Sequence, residues 1–151
     1  MRTIPSIDLQ KDIPSEHHPS TSTLGYWIMY TLRKSSYPKH TERGGKWLIF
    51  VSVNEVDAIW NRVKKALREG QLGDCAKVST AKQSPHYREG SRVICVYTYD
   101  KDDVADVQRI RNGLRSIGIT KNIPYKTDAD TFAGIYSDSP SHPNRPPSSR
   151  Q

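Results

Sequence analysis

Two segments of this chain place apolar residues at helical spacing, and pairs of short β-branched runs precede each of them. In NEVDAIWNRVKKALREG, Val56, Ile59, Trp60, Val63 and Leu67 recur three and four apart and so line one helical face. Asn54 stands where an N-cap is wanted, with Asp57 three residues on as in a capping box. Gly70 supplies a C-terminal stop, and Lys64, Lys65 and Arg68 suit the negative end of the helix dipole. In DDVADVQRIRNGLRSIG, Val104, Val107, Ile110, Leu114 and Ile117 form a second stripe. Asp102 or Asp103 caps its start and Gly118 ends it.

The other apolar runs are short and rich in β-branched and aromatic residues, which reads as strands at 26–32, 46–53, 75–80 and 92–99. Residues 123–126 and 132–136 are further strand candidates. Gly44-Gly45 marks a turn between the first two strands, and residues 81–91 form a polar hairpin loop. The order β, β, α, β, β, α, β, β with short loops predicts an α+β domain. Its sheet is curved and mainly antiparallel, two helices cover one face, and the other face is left for function. Residues 1–22 carry Pro, Ser and His with no apolar period, and residues 138–151 are rich in Pro and Ser, so both read as flexible tails around a folded unit at 23–137.

The chain has 151 residues, room for one domain. It holds no apolar run long enough to span a membrane and no visible secretory signal. Cys75 and Cys95 lie inside apolar stretches, not at metal-ligand spacing, and read as small buried hydrophobes in a reducing compartment, the cytoplasm by default. No GxSxG, Walker loop, HExxH or CxxC occurs, so no cofactor is expected. A net charge of +7 favours acidic partners: RNA, a nucleotide or a phosphorylated ligand, with no membrane contact.

The basic residues group by expected location. Lys39, Arg43 and Lys46 flank the first strand pair, Lys77, Lys82, Arg88 and Arg92 flank the second, and Lys121 and Lys126 adjoin the last strands. On a bent sheet they would border one concave surface; the competing reading is solvated loop charge. Strand alternation puts Lys77 on the side opposite Val78, away from the core if Val78 is buried. Tyr26, Trp27, Tyr37 and Tyr87 are candidates for stacking bases, whereas Trp47 and Trp60 read as core. His40 and His86 lie in loops toward the open side.

The pieces ERGGKWLIF, VDAIW, VICVYT and IPYKTDADT follow one order, and over residues 42–131 the chain resembles the cap-binding translation initiation factor 4E family. LGDCAKVST, VICVYTYDKDDVADV and YKTDADTFAGIY are similar more closely to its basophilic-leukaemia-expressed protein branch. The resemblance implies a binding module whose concave face takes a phosphorylated ligand. It makes Trp47 structural and matches Lys82, Arg88 and Arg92 to phosphate-binding positions, with Lys126 and Lys77 beside them. Where the family's stacking Trp-Glu pair should lie, this sequence has Ser35, Ser36, Tyr37 and Pro38, so Tyr37 is the one residue there able to stack. A second resemblance, to phosphothreonine lyases, implies Lys77 as a base for β-elimination. Lys46, Arg88 and either Tyr97 or Tyr99 would stand around it. Leu48 occupies the acid histidine position, which leaves His40 or His86 to supply the proton. A protein partner on the helical face is a third class of function.

Overall fold

The computed structural model describes residues 18–85 and 87–132. The elements are β1 (Trp27–Thr31), β2 (Gly45–Ser52), α1 (Val56–Arg68), β3 (Cys75–Ser79), β4 (Ser91–Thr98), α2 (Val104–Ser116), β5 (Tyr125–Thr127) and a one-turn α3 (Asp128–Phe132). The strands form one antiparallel sheet in the order β1-β3-β4-β2-β5. The α+β class, the curved antiparallel sheet and the helices over one face are as the sequence implies.

Connectivity differs from the local expectation. β1 and β2, separated by the Gly44-Gly45 step, do not pair: β1 joins β3, while β2 lies between β4 and β5. The glycines serve close packing instead. A Cβ at Gly44 would fall 1.9 Å from the His40 ring, and one at Gly45 would fall 2.2 Å from the Tyr125 hydroxyl. Residue 132 closes α3 instead of starting a strand, and 133–136 lie outside the described residues. That turn is helical because the Thr127 hydroxyl accepts the Asp130 N–H at 3.1 Å, an N-cap the strand reading overlooked.

Alternation on the strands produces two unlike faces. Trp47, Ile49 and Val51 of β2, Ala76 and Val78 of β3, and Ile94 and Val96 of β4 are buried against Val56, Trp60, Val63, Ala66 and Leu67 of α1 and Ile110 and Leu114 of α2. At ~25 cal/mol per Å² of apolar surface removed from water, this single cluster dominates the stabilisation. The Trp47 indole N–H donates to the Val107 carbonyl at 3.1 Å and its ring meets Tyr125 edge-on, so Trp47 is a core residue.

Both helices end in the same paired arrangement around a left-handed glycine. Gly70 and Gln71 donate to Leu67 and Ala66, and Gly118 and Ile119 donate to Arg115 and Leu114. Asp103 caps α2 through the Asp106 N–H. The other cap departs from expectation. Asn54 falls in a turn, Glu55 takes the N-cap position without a side-chain bond, and the Asp57 carboxylate binds the backbone N–H and hydroxyl of Ser20. Residues 18–22, assigned by sequence to a tail, are thus tied to α1, and the Ser22 carbonyl accepts from Ala81. Val104, expected in the buried stripe of α2, is 70% exposed because it is the first helical residue, ahead of the turn that meets the sheet.

Candidate functional site

Register fixes which side chains share the face away from α1 and α2, because directly paired residues project to the same side. Trp27 pairs with Ser79, Met29 with Lys77, Lys77 with Cys95, Cys95 with Leu48, Tyr97 with Lys46, and Lys46 with Lys126. Four of the residues singled out from sequence, Lys46, Lys77, Tyr97 and Lys126, therefore do stand on one surface. Trp27, Met29 and Phe50 remain exposed there.

Lys77 sits at the middle of this face. Its ammonium lies 3.9 Å from the centre of the Trp27 ring, a cation–π contact, and within the described residues it makes no ion pair. Burial lowers its pKa from the ordinary lysine value, the nearby Lys46 charge adds to that, and Cys95 and Asp128 oppose it. The thiol of Cys95 beside it is pushed up to about 11 and that of Cys75 to about 12, both chiefly by burial, so neither is a thiolate nucleophile at neutral pH. Burial likewise raises the Tyr97 phenol.

Lys46 is held differently. It is 7% exposed, donates to the Thr131 hydroxyl at 2.7 Å, lies 3.5 Å from Asp128 and lies 5.7 Å from the Tyr97 ring centre. Asp128 is in turn 2.5 Å from His40 Nε2, and the His40 ring meets Tyr97 edge-on. Asp128 and Thr131, three apart on α3, face the same way and close this end of the face. Sequence reading missed both. The available signal was the Thr-Asp-Ala-Asp-Thr run itself, with a hydroxyl at each end of a single turn.

The remaining candidates are placed elsewhere. Arg92 pairs with Val51 and so lies on the helical side, where it donates to the carbonyls of Pro19, Ser20 and Ser91 at 2.9–3.0 Å. Its guanidinium is consumed in fastening the 18–22 segment to β4, a correction to its expected role as a phosphate ligand. Tyr37 is also a structural element: its hydroxyl donates to Asp106 at 2.5 Å and accepts from the Tyr99 N–H, and burial raises its pKa. Lys82, in the loop after β3, lies over the Tyr26 ring at 4.8 Å, and Arg88 is exposed in the same loop. Tyr87 stacks with Arg92, Tyr99 bonds Asp103, Arg43 grips Asp100 at 2.7 Å, and Lys121 donates to the Phe50 carbonyl. Lys39 is exposed, and His86 lies outside the described residues.

Residues 39–134 match a family model described as the basophilic leukemia-expressed protein Bles03. Among solved structures, a Schistosome eIF4E complexed with m7GpppA and 4E-BP is similar at a TM-score of 0.62 and 17% identity, over 89% of this chain and 76% of that one. A C. elegans eIF4E-3 in complex with the 4E-binding protein Mextli and a cap analog is similar at 0.56 and 19%, over 83% and 74%. An Ascaris suum eIF4E-3 with an m2,2,7G cap is similar at 0.53 and 21%, over 83% and 73%. These likenesses establish an eIF4E-like fold. No helix among the described residues is long and apolar enough to cross a membrane.

Proposed function

This chain belongs to the basophilic leukemia-expressed protein Bles03 family, and on that premise we propose that it is a binding module for a phosphorylated ligand, a nucleotide or RNA, seated on the open face of its sheet. One observation carries the reading: the half-buried Lys77 ammonium stacked on exposed Trp27, with Lys46 and Lys126 on the same surface. An ammonium supplies a phosphate with a charge-assisted donor, and an indole offers a base a flat partner. Lys82 and Arg88, in the loop after β3, extend the basic rim. The eIF4E structures that share the fold are complexes with cap nucleotides, which supports a nucleotide as the ligand class. Cytoplasmic residence belongs to the same reading, with Cys75 and Cys95 both free thiols.

The test is fluorescence anisotropy with labelled short RNAs and nucleotides at two ionic strengths. Affinity falls as salt rises, because each phosphate contact releases counterions, and Lys77→Ala weakens binding about tenfold with a shallower salt slope. An absence of binding at low salt rejects the proposal.

A second reading has its own observation. Burial and a neighbouring cation depress the Lys77 pKa, as a lysine base for β-elimination requires, and Tyr97 and the His40–Asp128 pair lie on the same side of the sheet. Leu48 still occupies the face where the proton donor is needed, next to Cys95 in register. Mass spectrometry of phosphothreonine peptides separates the two readings: phosphate loss that disappears in Lys77→Ala selects the lyase, and intact peptide selects the binding module.

A further inference from the structure

β1 is an outer strand of the sheet, bonded on one side to β3 and on the other, among the described residues, to nothing. The flanking bonds fix the direction of its backbone groups: Leu32 donates to the Asp74 carbonyl and Thr80 donates to the Tyr26 carbonyl. Even-numbered residues therefore face β3, and the N–H and C=O groups of Trp27, Met29 and Thr31 point outward as an unused ladder. Outer strands are commonly blunted by charge, proline or a bulge; WIMYT contains no charge and no proline, and its register with β3 runs unbroken. Leu24, Tyr26, Trp27 and Met29 supply four of the six large hydrophobics exposed among the described residues. The edge is thus both unpaired and apolar.

Basic side chains predominate around it, with Asp74 the acid at the end where Leu32 meets β3. No acidic residue occurs between Glu16 and Glu42, or between Asp74 and Glu89. Lys77 lies over Trp27 and Lys82 over Tyr26, while Arg33 and Lys34 follow β1 in exposed positions.

We propose that the outer edge of β1 takes up an extended acidic peptide of a partner protein as a sixth strand. Main-chain groups of Trp27, Met29 and Thr31 supply the ladder, Trp27 and Met29 receive alternate apolar side chains, and the basic flanks take acidic ends. The regular two-residue alternation of donors and acceptors suits a polypeptide strand and has no counterpart in a nucleic-acid backbone. The ladder uses the backbone edge of β1, while Trp27 and Lys77 are shared with the ligand reading, so protection of the outward amides is what separates the two.

The probe is a fluorescein-labelled peptide of alternating Val and Thr with two Glu at each end, added to the full chain. A companion peptide carries Lys in place of Glu. Anisotropy reports affinity, and amide hydrogen exchange reports the site. The expected result is binding of the Glu peptide at least tenfold tighter than of the Lys peptide. The amides of Trp27, Met29 and Thr31 gain protection, while those of Ile28 and Tyr30, already inside the sheet, do not change. Met29→Pro removes an outward N–H without touching the β1–β3 ladder and lowers affinity at least tenfold. Should that variant misfold, Met29→Glu alters an exposed side chain and repels the acidic probe to similar effect. Unchanged exchange at the three amides, or equal binding of the two peptides, overturns the proposal. So does protection of those amides in the isolated chain before any peptide is added. If that protection persists on dilution, the chain's own residues fill the edge; if it fades, a second copy does.

Discussion

On the helical side of the sheet, two buried guanidiniums terminate on backbone carbonyls: Arg92 on Pro19, Ser20 and Ser91, and Arg111 on Ile119 and Lys121. On the opposite side, Lys77 rests on a tryptophan ring, and Lys46 is met by one hydroxyl and one carboxylate from a single-turn helix. The first set is spent on the chain's own carbonyls, with the buried Arg111 Nε left over, and staples loops to the core. In the second, Lys77 keeps donor capacity beside the exposed Trp27, while Lys46 is covered. Strand parity separates Arg92 from Lys77, and the count of basic residues does not; Lys46 shows that a cation on the open side is also tied down where α3 covers it.

The contrast breaks most visibly in the apolar layer. Trp60→Ala lowers the free energy of unfolding by about 3–5 kcal/mol through lost burial and the cavity left behind, whereas Phe50→Ala on the other side changes it by less than about 0.5 kcal/mol. Urea titrations giving equal losses would erase the distinction between the faces. Among the cations, Arg92→Ala leaves buried carbonyls without donors and costs roughly 1–3 kcal/mol, while Lys77→Ala stays within about 0.5 kcal/mol. The reverse order would make Lys77 the staple.

Asp128→Asn sharpens the comparison at the boundary. It removes the negative partner of a lysine that is 7% exposed and costs about 1–2 kcal/mol by thermal melting. No loss would mean that the Thr131 hydroxyl alone satisfies Lys46. The smallest effect is in pH. Burial lowers the Lys77 pKa, so the unfolded chain holds that proton more tightly than the folded one. Stability relative to Lys77→Met therefore rises as pH climbs through the depressed native value and levels off above lysine's ordinary one. A relative stability that falls with rising pH instead would show that Asp128 and Cys95 outweigh burial.

Helix stripes, caps and strand alternation are local, and they were legible: α2 with Asp103 at its cap, the glycine stops, and the outward side of Lys77. Pairing partners were not, because proximity in sequence argued for β1 against β2, and nothing local says that β2 is claimed from both sides by later strands. Arg92 shows the same limit. It was expected on the concave surface; strand pairing turns it to the core side, where it holds the 18–22 segment, whose composition gave no sign of docking. Lys46 was singled out, but the helical turn that covers it was read as loop and strand. Tyr37 occupies the position expected of a stacker, yet its hydroxyl is committed to Asp106 and Tyr99, a long-range pairing no spacing rule reports.

The strand order has a consequence for synthesis of the chain. β2 holds three of the buried apolar residues, but both of its neighbours are translated after it, β4 beginning only at Ser91 and β5 at Tyr125. At the usual pace of about 5–20 residues per second, a nascent chain leaves its most hydrophobic ribbon with two bare margins for several seconds. Ribosome-associated chaperones would meet it first there.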